Sequence, residues 1–209
     1  PELSDEGAAN ASRHCRSHNG VAVHSYVYGR KCAENKQGVF PRRQTYEACK
    51  MISEQHQQKH AKPLIIKQSD KAIDAGVFHN DVLCVANENV VLYHKDAYDS
   101  DPYEILETEF PELNIIRLPI KSGDFSVDQA VKSYLFNSQL VSIDSRRMAI
   151  IATSICQGNE ASQRIIESLI LDDGNPIESV EYVSVQESMK NWGGPACLRL
   201  RLLVTQDEL

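Results

Sequence analysis

Three short segments of this chain carry side chains suited to covalent chemistry, and each sets them beside glycine. Ser4-Asp5-Glu6-Gly7-Ala8-Ala9-Asn10 offers carboxylates, Gly76-Val77-Phe78-His79-Asn80-Asp81 an imidazole and a carboxylate, and Asn191-Trp192-Gly193-Gly194-Pro195-Ala196-Cys197 a thiol. Glycine permits the tight backbone geometry that a site often needs. A thiolate can attack an electrophilic carbon, an imidazole can give and take the protons, and an acid can hold a cationic substrate. Taken singly, each residue has an ordinary reading. Cys197 ahead of the alternating Leu198-Arg199-Leu200-Arg201 run has the pattern of a small buried residue entering a strand. His79 alone reads as a structural histidine, and Glu6 as a solvated or helix-capping acid. The weight lies in their company.

The elements that must position these residues repeat. Residues 81–86 and 89–93 read as two strands around a tight Asn87-Glu88 turn, residues 97–110 as a helix and 113–120 as a third strand. The same order returns further on, with strands at 138–143 and 148–153 around Asp144-Ser145, an amphipathic helix at 160–171 and a closing strand at 177–185. A looser copy comes first: a strand at 21–28, a helix from 44 to about 60 and a short strand at 64–67, with no evident second strand. Modules are thus expected at approximately 21–67, 81–120 and 137–185, and a strand at 198–204 opens another within 197–209. Such α/β units arrange either radially or as a two-layer sandwich. The radial arrangement is favoured because His79-Asn80-Asp81, Phe136-Asn137-Ser138 and Pro195-Ala196-Cys197 each precede the first strand of a unit, and equivalent positions in a radial array converge near its axis.

Composition narrows the partners. A chain of 209 residues with 42% hydrophobic and 24% charged residues has the make-up of a folded soluble domain. Its net charge of -7 provides no basic excess for nucleic acid or an anionic membrane, and suits a small cationic substrate better. The apolar run 148–156 falls far short of the roughly 20 residues of a spanning helix, and the N-terminal stretch has no signal-peptide pattern, so a cytoplasmic location is expected. The six cysteines are far apart, with no CxxC pair, and reduced thiols are expected. His14, Cys15 and His18, or His56 and His60, have spacings seen in metal sites, but neither set has further ligands in sequence, and no metal or cofactor is expected.

Further segments accompany these three: Tyr28-Gly29-Arg30, Pro41-Arg42-Arg43-Gln44-Thr45, Tyr134-Leu135-Phe136-Asn137-Ser138-Gln139-Leu140 and Glu187-Ser188-Met189. Their content and order, through essentially the whole chain, resemble the N-succinylarginine dihydrolases, metal-free cysteine hydrolases of the guanidine-modifying pentein superfamily. The resemblance implies an α/β fold, a five-module propeller of which about three modules are present here. It implies Cys197 as nucleophile, His79 as general acid and base and Glu6 as catalytic carboxylate, with Arg43, Asp81 and Asn191 binding substrate. That substrate would be N2-succinyl-L-arginine, hydrolysed to N2-succinylornithine, ammonia and carbon dioxide, and a homodimer is compatible with it. Family chains extend beyond both ends of this one, so a fragment is expected. The sequence departs from the family pattern at Ala11, where histidine is usual, and at Trp192, where glycine is usual. Two alternatives share the fold: another pentein guanidine hydrolase of the arginine deiminase kind, and a non-catalytic pentein binding module.

Overall fold

The structure is a computed structural model that describes residues 8–34, 38–56 and 63–190. Glu6, Asn191 and Cys197, His60 and the strand expected at 198–204 lie outside the described residues.

The first unit begins earlier than its sequence suggests. β1 (Ala11–Cys15) pairs antiparallel with β2 (Ala22–Tyr28), which pairs parallel with β3 (Leu64–Lys67). The segment read as the opening strand, 21–28, is therefore the second strand. β1 escapes notice because Ala-Ser-Arg-His-Cys has no apolar alternation, its buried residues being His14 and Cys15. A parallel return needs a crossover, and α1 (Tyr46–Gln55) supplies it. The Thr45 side chain starts α1 by accepting a hydrogen bond from the Ala48 amide at 3.1 Å.

After the short α2 (Asp70–Asp74), the second unit repeats this order. β4 (Cys84–Asn87) and β5 (Val90–His94) form a hairpin whose turn holds Glu88 at φ 50°, and β6 (Ile116–Ile120) returns parallel to β5 after α3 (Tyr103–Glu109). All five residues of β5 are buried, as befits a strand covered on both faces. The strand expected at 81–86 starts only at Cys84. Asn80–Val82 instead closes a 3-10 turn, in which the Leu83 amide donates to the Asn80 carbonyl at 2.9 Å.

α4 (Val127–Ser133) leads into the third unit. There β7 (Gln139–Ser142) pairs antiparallel with β8 (Met148–Thr153), which pairs parallel with β9 (Ile177–Val183). α5 (Ser154–Gln157) and α6 (Glu160–Ile170) form that crossover, and α7 (Gln186–Met189) follows β9. Ala161, Ile165, Ile166 and Leu169 of α6 are buried, the stripe of an amphipathic helix. The described residues thus form three three-stranded sheets with one strand-strand-helix-strand order. β4 touches β1 on one side and β7 on the other, so the first strands of successive units are neighbours. A single apolar core runs through all three, from Val23 and Val27 through Leu83, Leu92 and Tyr103 to Ile150, Cys156 and Ile166. The ends of these first strands are where side chains from different units meet.

Candidate functional site

His79 owes its position to the way α2 ends. The Gly76 amide donates to the Ile73 carbonyl at 2.9 Å and the Val77 amide to the Ala72 carbonyl at 3.1 Å, while Gly76 adopts φ 103°. These paired bonds around a left-handed residue form a Schellman stop, which favours glycine because a side chain is strained at that φ. The emerging chain is fixed again at Val77, whose carbonyl accepts from buried Gln68 Nε2 at 2.7 Å. Two residues later, half-buried His79 stands at the head of the 3-10 turn.

Arg43 comes to it from the first unit. The segment Arg42-Arg43-Gln44-Thr45 is tied to the end of β2, with the Gly29 amide donating to the Gln44 carbonyl at 2.8 Å and the Tyr46 amide to the Arg30 carbonyl at 2.9 Å. Arg42 turns to α2 and pairs with Asp70 at 3.1 Å and Asp74 at 3.2 Å. Arg43 reaches His79 instead: Nη1 lies 3.4 Å from Nε2, and its Cζ stands 5.5 Å from the centroid of the Phe78 ring. A guanidinium can only donate, so in this contact the ring nitrogen is the acceptor. Phe78 in turn meets the His79 ring edge-on, with centroids 5.6 Å apart.

Behind these side chains runs a buried polar network. Asn10 Nδ2 donates to Gln44 Oε1 at 3.1 Å, and Asn10 Oδ1 accepts from the Asn80 amide at 2.9 Å. Gln44 Nε2 donates to Cys49 Sγ at 3.0 Å. Asn80 Oδ1 accepts from the Tyr98 hydroxyl at 2.5 Å, which lies 3.0 Å from that of Tyr103, itself 3.1 Å from Cys84 Sγ. Asn10, Gln44 and Asn80 are at most 3% exposed, so each bond is made away from water and its loss would orphan a polar group. Asn10 closes the first catalytic-type segment, Gln44 follows Arg43 and Asn80 follows His79. One network therefore sets the positions of three segments that are distant in sequence.

Asp81 begins no strand but sits within the 3-10 turn, 6% exposed, where its Oδ2 accepts from Asn137 Nδ2 of the third unit at 2.9 Å. Asn10, Gln44, Asn80 and Asn137 have no role in the sequence reading. The available signal was positional, since Asn10, Asn80 and Asn137 stand just ahead of β1, β4 and β7. Of the six expected site residues, the structure describes Arg43, His79 and Asp81, which it brings to one region.

Among the described residues no cluster of three or more histidine, cysteine, aspartate and glutamate side chains is placed to hold a metal. His14 is wholly buried with Nε2 2.9 Å from Ser25 Oγ, and burial lowers its pKa to about 3. Burial also raises the Cys49 thiol to about 11 and the Cys156 thiol to about 12, which leaves neither a thiolate near neutrality.

The sequence and the fold have relatives among known proteins. The sequence matches the family model described as succinylarginine dihydrolase over residues 1–209. The chain belongs to the succinylarginine dihydrolase family. It is 42% identical to the N-succinylarginine dihydrolase of Nitrosospira multiformis over 210 residues, covering 99% of this chain and 47% of that protein. The proteins of the same name from Legionella pneumophila strain Paris and Chromohalobacter salexigens are 41% and 42% identical, and the chain covers 48% and 47% of them. The chain thus spans about half the length of the curated relatives it matches. The crystal structure of the N-terminal domain of ArgZ, an arginine dihydrolase of cyanobacteria, matches with a TM-score of 0.55 over 95% of this chain and 56% of that one. At 18% identity this likeness shows that the succinylarginine dihydrolase family member and ArgZ share an α/β fold. No helix among its described residues is long and apolar enough to cross a membrane.

Proposed function

We propose that this chain carries the reacting groups of an N-succinylarginine dihydrolase, which hydrolyses the guanidino group of N2-succinyl-L-arginine. The observation that carries this reading is the meeting of Arg43 with His79, on segments that one buried network ties to the end of the Glu6 segment, with Asp81 beside Asn80 in the same 3-10 turn, in a chain of that family. Three side-by-side first strands support a radial arrangement, a partial propeller with the site around its axis.

The chemistry follows from the substrate. A guanidinium carbon is a poor electrophile because its charge is spread over three nitrogens, so attack requires a thiolate and acids that hold the cation in line. Cys197 supplies the sulfur, and Glu6 and Asp81 grip the guanidinium by charge-assisted hydrogen bonds. Cys197 passes its thiol proton to His79 as the new C–S bond forms, and His79 gives that proton to the departing ammonia as a C–N bond breaks. Neutral His79 then takes a proton from the water that attacks the thiouronium carbon, and the C–S bond breaks to free the thiolate. A second round with a second water releases another ammonia, carbon dioxide and N2-succinylornithine. Arg43 has the planar fork that suits a substrate carboxylate, and Asn191 completes the substrate contacts. The reaction as written needs no metal, and the proposed location is the cytoplasm.

The test is ammonia release from N2-succinylarginine by the complete protein, beside its Cys197→Ser variant. Activity is expected in the first and a loss of at least about a thousandfold in the second, on the scale of removing a catalytic nucleophile. Equal rates would refute the role of Cys197. Activity on arginine but not on its succinyl derivative would refute the substrate.

A further inference from the structure

Four buried polar side-chain atoms have no hydrogen-bond partner among the described residues, His14 Nδ1, Asn87 Oδ1, Asn137 Oδ1 and Ser138 Oγ, and of these Asn137 Oδ1 belongs to the side chain bonded to Asp81. Asn137 is 5% exposed and stands directly ahead of β7, where the chain has just left α4 through Tyr134 at φ 58°. Its backbone amide donates to the Tyr134 carbonyl at 3.1 Å, which fixes the side chain's point of departure. Its Nδ2 donates to Asp81 Oδ2 at 2.9 Å, while Oδ1 is buried with no hydrogen-bond partner among the described residues. The assignment of the two atoms follows from chemistry. A carboxylate accepts and does not donate, so the amide must turn its NH2 group to Asp81 and leave the carbonyl oxygen over. A buried carbonyl oxygen without a donor is costly, and this one belongs to the side chain that holds Asp81.

We propose that Asn137 is a further substrate-binding residue, holding Asp81 through Nδ2 and accepting an N–H of the substrate's guanidinium at Oδ1. The inference rests on the guanidine-hydrolase reading above. A guanidinium displays five N–H donors in one plane and no acceptor. A carboxylate and an adjacent, bonded carbonyl oxygen form a matching row of acceptors, and the bond between them keeps both from rotating away. A neutral acceptor beside the acid adds directionality without further like-charge repulsion among the carboxylates of the site. Such a residue selects for the cationic end of the ligand and not for its succinyl or amino-acid parts.

Selectivity for one end of the ligand is what the experiment reads. In the complete protein with Cys197→Ser, to prevent turnover, the affinities for N2-succinylarginine and for N2-succinylnorvaline, which lacks the guanidino group, are measured by calorimetry with and without Asn137→Leu. Asn137→Leu is expected to weaken succinylarginine by about tenfold to a hundredfold, the value of a hydrogen bond to a charged group, and to change succinylnorvaline less than about twofold. If Asn137→Leu does not fold, Asn137→Ser carries the same comparison, since its hydroxyl is too short to replace Oδ1 at the ligand. An equal loss for both ligands, or no loss for either, would overturn the contact while leaving the proposed function standing. A parent protein that binds succinylarginine no better than succinylnorvaline overturns the guanidine-hydrolase reading and the contact with it.

Discussion

His14 makes the fold sensitive to acid in a way that can be measured. It lies on β1 at the junction with the second unit, wholly buried, with the edge of its ring toward Tyr103 at a centroid distance of 5.7 Å and Nδ1 without a partner among the described residues. Burial is the main cause that lowers its pKa from 6.5 to about 3, and nearby His24 lowers it further. The unfolded chain binds this proton near pH 6.5 and the folded chain only near pH 3. Its contribution to stability is therefore complete above pH 6.5 and declines as the pH falls toward 3, with a slope approaching about 1.4 kcal/mol per pH unit. At pH 5 the loss from this one residue is about 2 kcal/mol, a large share of the stability of an ordinary domain. The variant His14→Gln keeps a polar group of similar reach toward Ser25 and cannot titrate. Urea unfolding followed by circular dichroism at pH 7.5 and pH 5 gives the stability of both proteins, and taking their difference cancels the other acids. That difference is expected to move by about 2 kcal/mol in favour of the variant on acidification. Parallel pH curves for the two proteins would show that His14 is not held neutral by burial.

Two more outcomes follow from the site. Asn10→Leu removes the acceptor of the Asn80 amide and the donor to Gln44, and is expected to cost about 2–4 kcal/mol in urea unfolding while lowering ammonia release through displaced Arg43 and His79; unchanged turnover would show that the network does not position them. Gly76→Ala forces a side chain into φ 103° at the end of α2, and is expected to cost about 1–3 kcal/mol and to perturb His79 three residues on; a variant as stable as the parent would refute that account.

How much could be read from the sequence follows from what each element announces. β8, read as 148–153, and α6, read as 160–171, were legible because their apolar periodicities are clean, and the structure has them at Met148–Thr153 and Glu160–Ile170. β1 was hidden because its buried residues are a histidine and a cysteine beside Arg13, which folds back on the Gly20 carbonyl at 2.9 Å. The expected helix at 97–110 shrinks to Tyr103–Glu109, since Lys95–Ala97 is a 3-10 turn and Asp101 accepts the Tyr103 amide at 3.0 Å to start the helix late. At the site, glycine marked the Gly76 turn and chemistry marked His79, so both were visible. Asn10, Gln44 and Asn137 were not, because an amide gains meaning only from the partner that a distant segment brings to it.

The frame behind Arg43 and His79 is built from groups that hold their charge state. Its amides do not ionise, burial keeps the Tyr98 and Tyr103 hydroxyls well above their ordinary range, and the Cys49 thiol is pushed up to about 11. From neutrality into mild alkali the amides, these two hydroxyls and the Cys49 thiol exchange no proton. A rate-against-pH profile taken there is not distorted through them.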